Sequence, residues 1–227
     1  MKRASNVLSG EQKEAIEQAV RDAENRTAAE VVPVLATASG RYDRPEDVVG
    51  LWVGGIGIAV AWFLLPTVES ADATGGWGGW PGWANLLILL AVLVAGFMLG
   101  ATAGSKIPWL RRLFTPRQEM VDEVTDHAAT VFATRGIYRT EGATGLLVYV
   151  SLYERMAVVL GDERVLETVG QPFLDELRDV LVEKLREGDV AGAFTVTIRK
   201  AADRLADALP VADDDRDELP SELVILD

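Results

Sequence analysis

Cysteine is absent from the chain. Disulfides, thiol nucleophiles and cysteine-ligated zinc or iron–sulfur sites are thereby excluded, and the composition is compatible with a cytoplasmic domain. Histidine is nearly absent: His127 stands alone among Asp122, Glu123 and Asp126. A lone histidine in such company reads as an exposed side chain on the polar side of a helix. The sequence has no glycine-rich phosphate loop, no Gly-x-Ser-x-Gly elbow and no Asp-x-Asp following a strand. Catalytic residues therefore stay unassigned. Basic charge is in deficit, with 22 Lys and Arg against 35 Asp and Glu and a net charge of −13. Most of the excess follows Gln118, which speaks against nucleic acid or anionic lipid as an electrostatic partner of the whole domain. Residues 1–14 carry Lys2 and Arg3 with no apolar core behind them. That is no cleavable signal peptide, so the first apolar helix is expected to direct insertion.

What the sequence does have is a pair of long segments without any ionisable group, residues 48–68 and 84–105. At roughly 1.5 Å per residue each spans about 30 Å, the hydrocarbon thickness of a bilayer. The second segment is the more apolar. Together they predict a transmembrane helical hairpin over 48–105. Its short loop holds Glu69, Asp72, Trp77, Trp80 and, at its end, Trp83, and indole rings favour the headgroup zone. Lys106, Arg111, Arg112 and Arg117 follow the second crossing. Short basic flanks stay in the cytoplasm, which predicts a cell (inner) membrane protein with both termini cytoplasmic. Gly50 and Gly54 on the first helix, and Gly96, Gly100 and Gly104 on the second, recur every fourth residue and form grooves for close backbone approach. Contact between the tethered helices is the first expectation, and a homodimer through Gly96, Gly100 and Gly104 is the alternative. With no ionisable residue inside either crossing, a channel or transporter has little support.

The flanks, residues 1–47 and 106–209, are each too incomplete to fold alone and together make one soluble domain of ordinary size. Ser9 and Gln12 are spaced for a capping box, after which Ile16, Ala19, Val20 and Ala23 share one helical face. Glu30 opens a β-branched run in which Pro33 marks an edge or a bulge. Beyond Pro116, Val121, Val124, Ala128, Val131 and Phe132 line a helix that stops near Gly136. Two apolar runs, 144–152 and 156–160, are joined through Tyr153, Glu154 and Arg155 as a β-hairpin covered on both faces. One helix follows Pro172 with Phe173, Leu174, Leu177, Val180, Leu181 and Leu185 inward, and another starts at Asp189 with Val190, Phe194, Ile198, Ala201 and Leu205 inward. The fold class is α/β, a mixed β-sheet with helices packed on its faces and interrupted by the transmembrane hairpin. Residues 210–227 form an acidic C-terminal tail whose run over 213–218 reads as solvated surface.

The helix after Leu8-Ser9, the strand from Glu30, the strand from Thr144 to Ser151, the Glu154-Arg155 turn with Val158 to Asp162, and the closing stretch Asp215 to Pro220 together resemble the TPM domain family. More narrowly, the chain resembles its bacterial membrane-anchored members, in which two transmembrane helices interrupt the domain after the first strand. The resemblance implies a TPM-like α/β sandwich, binding of divalent cations such as calcium in some members, and a phosphatase label. The chain departs from the soluble branch, where Asp-Asn-Gly usually precedes the second strand and Gly-Tyr-Gly ends the third. Here those stretches are Ala143-Thr144-Gly145 and Gly161-Asp162-Glu163, so one metal-holding carboxylate is missing.

Hard cations require several converging oxygens, and the acids nearest the expected strand ends are Asp162, Glu163, Glu141 and Glu154. These are the candidate metal ligands, and calcium or another divalent cation is the candidate cofactor. The leading functional expectation is an interaction, assembly or regulatory module for other membrane proteins, with the lipid bilayer as its first partner. The alternative is a divalent-metal-dependent phosphatase at the membrane surface.

Overall fold

The computed structural model describes residues 3–40, 44–64, 82–107, 115–211 and 218–227. The tryptophan-rich loop with Glu69, Asp72, Trp77 and Trp80, the basic pair Arg111 and Arg112, and the acids of 213–217 lie outside the described residues. Two compact units emerge, one made of Met1–Gly40 with Arg117–Asp227 and the other of Arg41–Pro116.

The first unit is built on a four-stranded mixed sheet of order β3-β2-β1-β4. Its elements in chain order are α1 (Gly10–Glu24) and β1 (Glu30–Ala36), then α4 (Arg117–Thr134), β2 (Gly145–Ser151), β3 (Met156–Gly161), α5 (Glu163–Val169), α6 (Gln171–Arg186), α7 (Val190–Leu205) and β4 (Val224–Leu226). The second unit contributes α2 (Arg44–Leu64) and α3 (Gly82–Lys106). β1 runs parallel to both β2 and β4, and β2 pairs antiparallel with β3.

Alternation along the strands separates two cores. Val31, Leu35, Leu146, Val148, Val150, Ala157 and Val159 face α1, α6 and α7, where they meet Ile16, Val20, Leu177, Leu181, Phe194 and Ile198. Val32, Val34, Ala36, Leu147 and Tyr149 face α4 and its Val124, Ala128 and Val131. Because helices cover both faces, β1 and β2 are buried along their whole length, which explains their near-continuous apolar sequences.

The capping box forms as the sequence predicts: Gln12 N–H donates to Ser9 Oγ at 3.2 Å and Ser9 N–H to Gln12 Oε1 at 2.9 Å. Gly136 takes the left-handed conformation expected after α4, with φ +74°. Pro33 has a more specific place than an edge strand. Glu30 N–H bonds Thr144 O, on the β2 side, and Thr37 N–H bonds Leu226 O, on the β4 side. Odd-numbered residues of β1 therefore aim their N–H at β4, whose pairing begins only at Val34. Pro33 sits one step before that start, where its missing donor interrupts no ladder bond, although β1 is central in the sheet.

At three places the structure corrects the sequence reading or adds to it. On α4 the buried residue of the first turns is Met120, while Val121 is 43% exposed, because the face that meets the sheet lies one residue earlier. The segment after β3 forms a short extra helix, α5, capped by Asp162. The last residues do not continue as a solvated tail: Val224–Leu226 adds the fourth strand beside β1, and Leu219 and Leu223 pack into the two cores.

In the second unit α2 and α3 are antiparallel and meet at their glycines. A methyl at Gly96 would lie 2.8 Å from Gly54 Cα, one at Gly100 2.8 Å from Gly50 Cα, and one at Gly104 3.1 Å from Glu46 Cα. Backbones touch there, and only glycine allows that approach. The groove of Gly96, Gly100 and Gly104 is thus filled by the chain's own α2. Outward side chains are large and apolar, including Leu51, Trp52, Phe63, Leu64, Leu86, Met98 and Leu99, each more than half exposed. Hydroxyls are satisfied within the helix, Thr102 donating to Met98 O and Leu99 O at 2.9 Å and Ser105 to Thr102 O at 3.0 Å. Both helices are long and apolar enough to cross a membrane.

Candidate functional site

The carboxyl ends of β1 and β2 lie side by side, the place where open α/β sheets commonly bind ligands. The parallel pairing continues past the strands, with Leu152 N–H donating to Ala36 O and Tyr153 N–H to Thr37 O, both at 3.0 Å. This sets the 152–155 turn against the 37–40 segment. The turn closes through Arg155 in the left-handed region, φ +55°.

Glu154 enters from that turn and is almost fully buried, at 1% exposure. Its Oε1 accepts from Ser39 N–H at 2.9 Å and Gly40 N–H at 3.3 Å, and its Oε2 from the Ser151 hydroxyl. Donation from backbone N–H and a hydroxyl is what allows a carboxylate to be buried. A neighbouring chain of side chains shares Ser39. Tyr149, buried against α4, has its hydroxyl 2.8 Å from Ser39 Oγ and 2.7 Å from His127 Nδ1. The His127 and Tyr149 rings meet edge to face, 5.8 Å between centroids at 90°. Burial pushes the Tyr149 hydroxyl up to about 12, the negative charge of Glu154 adds to the rise, and the Ser39 hydrogen bond works against it. Tyr149 is therefore a neutral hydroxyl, able to relay hydrogen bonds between Ser39 and His127.

His127 accordingly departs from the sequence reading of a lone exposed histidine. It is partly buried, and a polar partner on the sheet, Tyr149, turns its ring inward. Sequence reasoning also missed Ser39, Tyr149 and Ser151. The available signal was a tyrosine in the middle of a strand buried on both faces, since a buried phenol needs a partner.

The acids named from the sequence fall at opposite ends of the sheet. Glu154 precedes β3 and Asp162 follows it, and six residues of strand at about 3.3 Å each separate them by about 20 Å. Asp162 caps α5, its Oδ1 accepting from Glu163 N–H at 2.8 Å. Glu141 lies at the same sheet end, where its N–H donates to the Glu218 carboxylate at 3.1 and 3.2 Å. Glu218 N–H in turn donates to Glu30 Oε1 at 3.2 Å. The four named acids do not converge on one ion, and among the described residues no three Asp, Glu, His or Cys side chains group to hold a metal. Calcium or another divalent cation does not fit this donor set.

Residues 113–204 match the family model of the TPM domain. The chain is also similar in structure to the BA42 protein from the psychrophilic bacterium Bizionia argentinensis, solved by NMR, with 19% identity over 99% of each chain and a TM-score of 0.56. No curated protein matches the chain. The mixed sheet flanked by helices is the fold shared with that neighbour, and the match to the TPM domain model spans α4 to α7.

Proposed function

We propose that the chain is an integral membrane protein in which α2 and α3 cross the cell (inner) membrane as a hairpin and hold the TPM domain on the cytoplasmic side, where it acts as an interaction, assembly or regulatory module for other membrane proteins. The observation that carries this reading is the build of the helix pair. Glycines meet backbone inside, while leucine, tryptophan and phenylalanine side chains stand outside. An apolar exterior of that extent supports immersion in an apolar solvent. Lys106, Arg111, Arg112 and Arg117, set against Glu69 and Asp72 in the inter-helix loop, favour cytoplasmic termini. An interaction role is favoured by the use made of the buried polar groups: Glu154 holds backbone N–H groups and a serine, and so fixes the loop that leads towards α2.

Reporter fusions at Asp227 and in the 69–82 loop test the topology, and in-cell crosslinking followed by identification of neighbours tests the role. Recovery of the same membrane protein from independent crosslinking positions is the expected result. An external Asp227 reporter would refute the topology. The second reading, a divalent-metal-dependent phosphatase, draws on the family match over residues 113–204 alone, since Asp162, Glu163 and Glu141 do not group as a metal site. Turnover of a phosphate ester that requires calcium or magnesium and disappears in Asp162→Ala would establish it in place of the first.

A further inference from the structure

We infer that Ser39, Tyr149 and His127 form a proton-coupled polarity switch, in which a proton on His127 decides whether Ser39 presents an oxygen lone pair or its O–H to its surroundings. The argument rests on counting donors. Tyr149 Oη lies within hydrogen-bond distance of both Ser39 Oγ, at 2.8 Å, and His127 Nδ1, at 2.7 Å. A phenol carries one proton, so it donates to one neighbour and accepts from the other. Burial keeps that proton in place over the whole ordinary pH range, with the hydroxyl pushed up to about 12.

When His127 is neutral with its proton on Nε2, Nδ1 accepts from Tyr149. Tyr149 then accepts from Ser39, and the Ser39 proton is used inside the chain. When His127 takes up a second proton, Nδ1–H can only donate. Tyr149 turns to donate to Ser39, whose own proton is released to point elsewhere. No heavy atom moves and no bond to carbon changes; two hydroxyl rotors reverse.

Glu123 and Asp126 flank His127 on α4, Tyr149 faces it from β2, and Glu154 stands behind Tyr149. β3, also packed on α4, carries no titratable side chain. Glu154 pins Ser39 from the backbone side through Ser39 N–H, so the hydroxyl is free to reverse while the loop stays put. Ser39 is five residues before the start of α2 at Arg44. The device therefore sits where the chain leaves β1.

Because His127 is the only histidine, its imidazole resonances are assigned without ambiguity. The test is a pH titration by NMR of the full chain in detergent micelles, following His127 Cε1–H and Ser39 Cβ. The expected result is one shared midpoint for the two signals in the wild-type protein. The Ser39 transition should be lost in Tyr149→Phe, while His127 still titrates. In His127→Gln the Ser39 transition at that midpoint should vanish, which keeps the test decisive if Tyr149→Phe folds poorly. A Ser39 signal that ignores the His127 midpoint in the wild type, or that persists in either variant, overturns the inference.

Discussion

Replacing Glu154 separates a structural carboxylate from an idle one. In Glu154→Ala the Ser39 and Gly40 N–H groups and the Ser151 hydroxyl lose the acceptor they now share. A buried donor left unsatisfied costs about 1–3 kcal/mol. The Ser39 and Gly40 contacts are only part-buried, so water recovers some of the loss and the three contributions do not add. The expected destabilisation is about 3 kcal/mol, and Glu154→Gln, which keeps an acceptor oxygen, should lose about half of that. The aromatic residues allow each unit to be followed separately. All six tryptophans lie between Trp52 and Trp109, whereas Tyr138, Tyr149 and Tyr153 belong to the α/β unit. Urea unfolding in micelles, read by tyrosine near-ultraviolet circular dichroism, should show an earlier transition in the variant, with the tryptophan signal unmoved. A second readout comes from the same substitution. Since the Glu154 charge helps raise the Tyr149 hydroxyl, alkaline titration of tyrosinate absorbance should show that group ionising at lower pH. Unfolding at wild-type urea concentration together with an unchanged tyrosinate titration would refute the assignment of Glu154 as the loop's anchor.

Gly100→Leu would drive a side chain into Gly50 Cα and Val49 O; the helix pair should splay, read as loss of a disulfide engineered between α2 and α3, whereas Gly55→Ala, with open space around it, should leave it intact. Gly145→Ala would press a methyl against the Ile137 carbonyl and should destabilise the α/β unit by about 1–3 kcal/mol in urea unfolding. The Asp227 carboxyl is held below its usual range by hydrogen bonding from Ser5, with a contribution from Thr37. A group depressed in the folded state stabilises above its unfolded value and loses that contribution as pH falls through the folded one. Protection of the Val224–Leu226 amides, measured as exchange relative to the intrinsic rate at each pH, should therefore fall on acidification through that range, and Asp227→Asn should remove the dependence.

Periodicity carried most of the fold. The helical faces of α1, α6 and α7 and the antiparallel pairing of β2 with β3 follow from local spacing, because each is set by neighbours in sequence. What spacing could not show depended on distant partners. Pro33 sits in a central strand without harm only because β4, arriving from residues 224–226, stops short of it. The β4 triplet itself is too brief to announce a strand. Leu223 to Leu226 read as the end of a tail until β1 offered an edge. The candidate site was legible one residue at a time and not as a set. Glu154 stood out as an acid, but the groups that accept its burial, Ser39 and Gly40 N–H, come from more than a hundred residues away. His127 looked solvated because its sequence neighbours are acids, and Tyr149, on the sheet face against which α4 packs, decides otherwise.

The order of synthesis gives the sheet's connectivity a further meaning. β1 leaves the ribosome early, yet both of its flanking strands, Gly145–Ser151 and Val224–Leu226, are translated only after the two long apolar helices have emerged. A nascent Glu30–Ala36 segment must therefore wait, sticky on two sides, until residues 224–226 have been translated. Non-local pairing of this kind folds slowly and invites aggregation, so the chain's vulnerable interval is its own elongation.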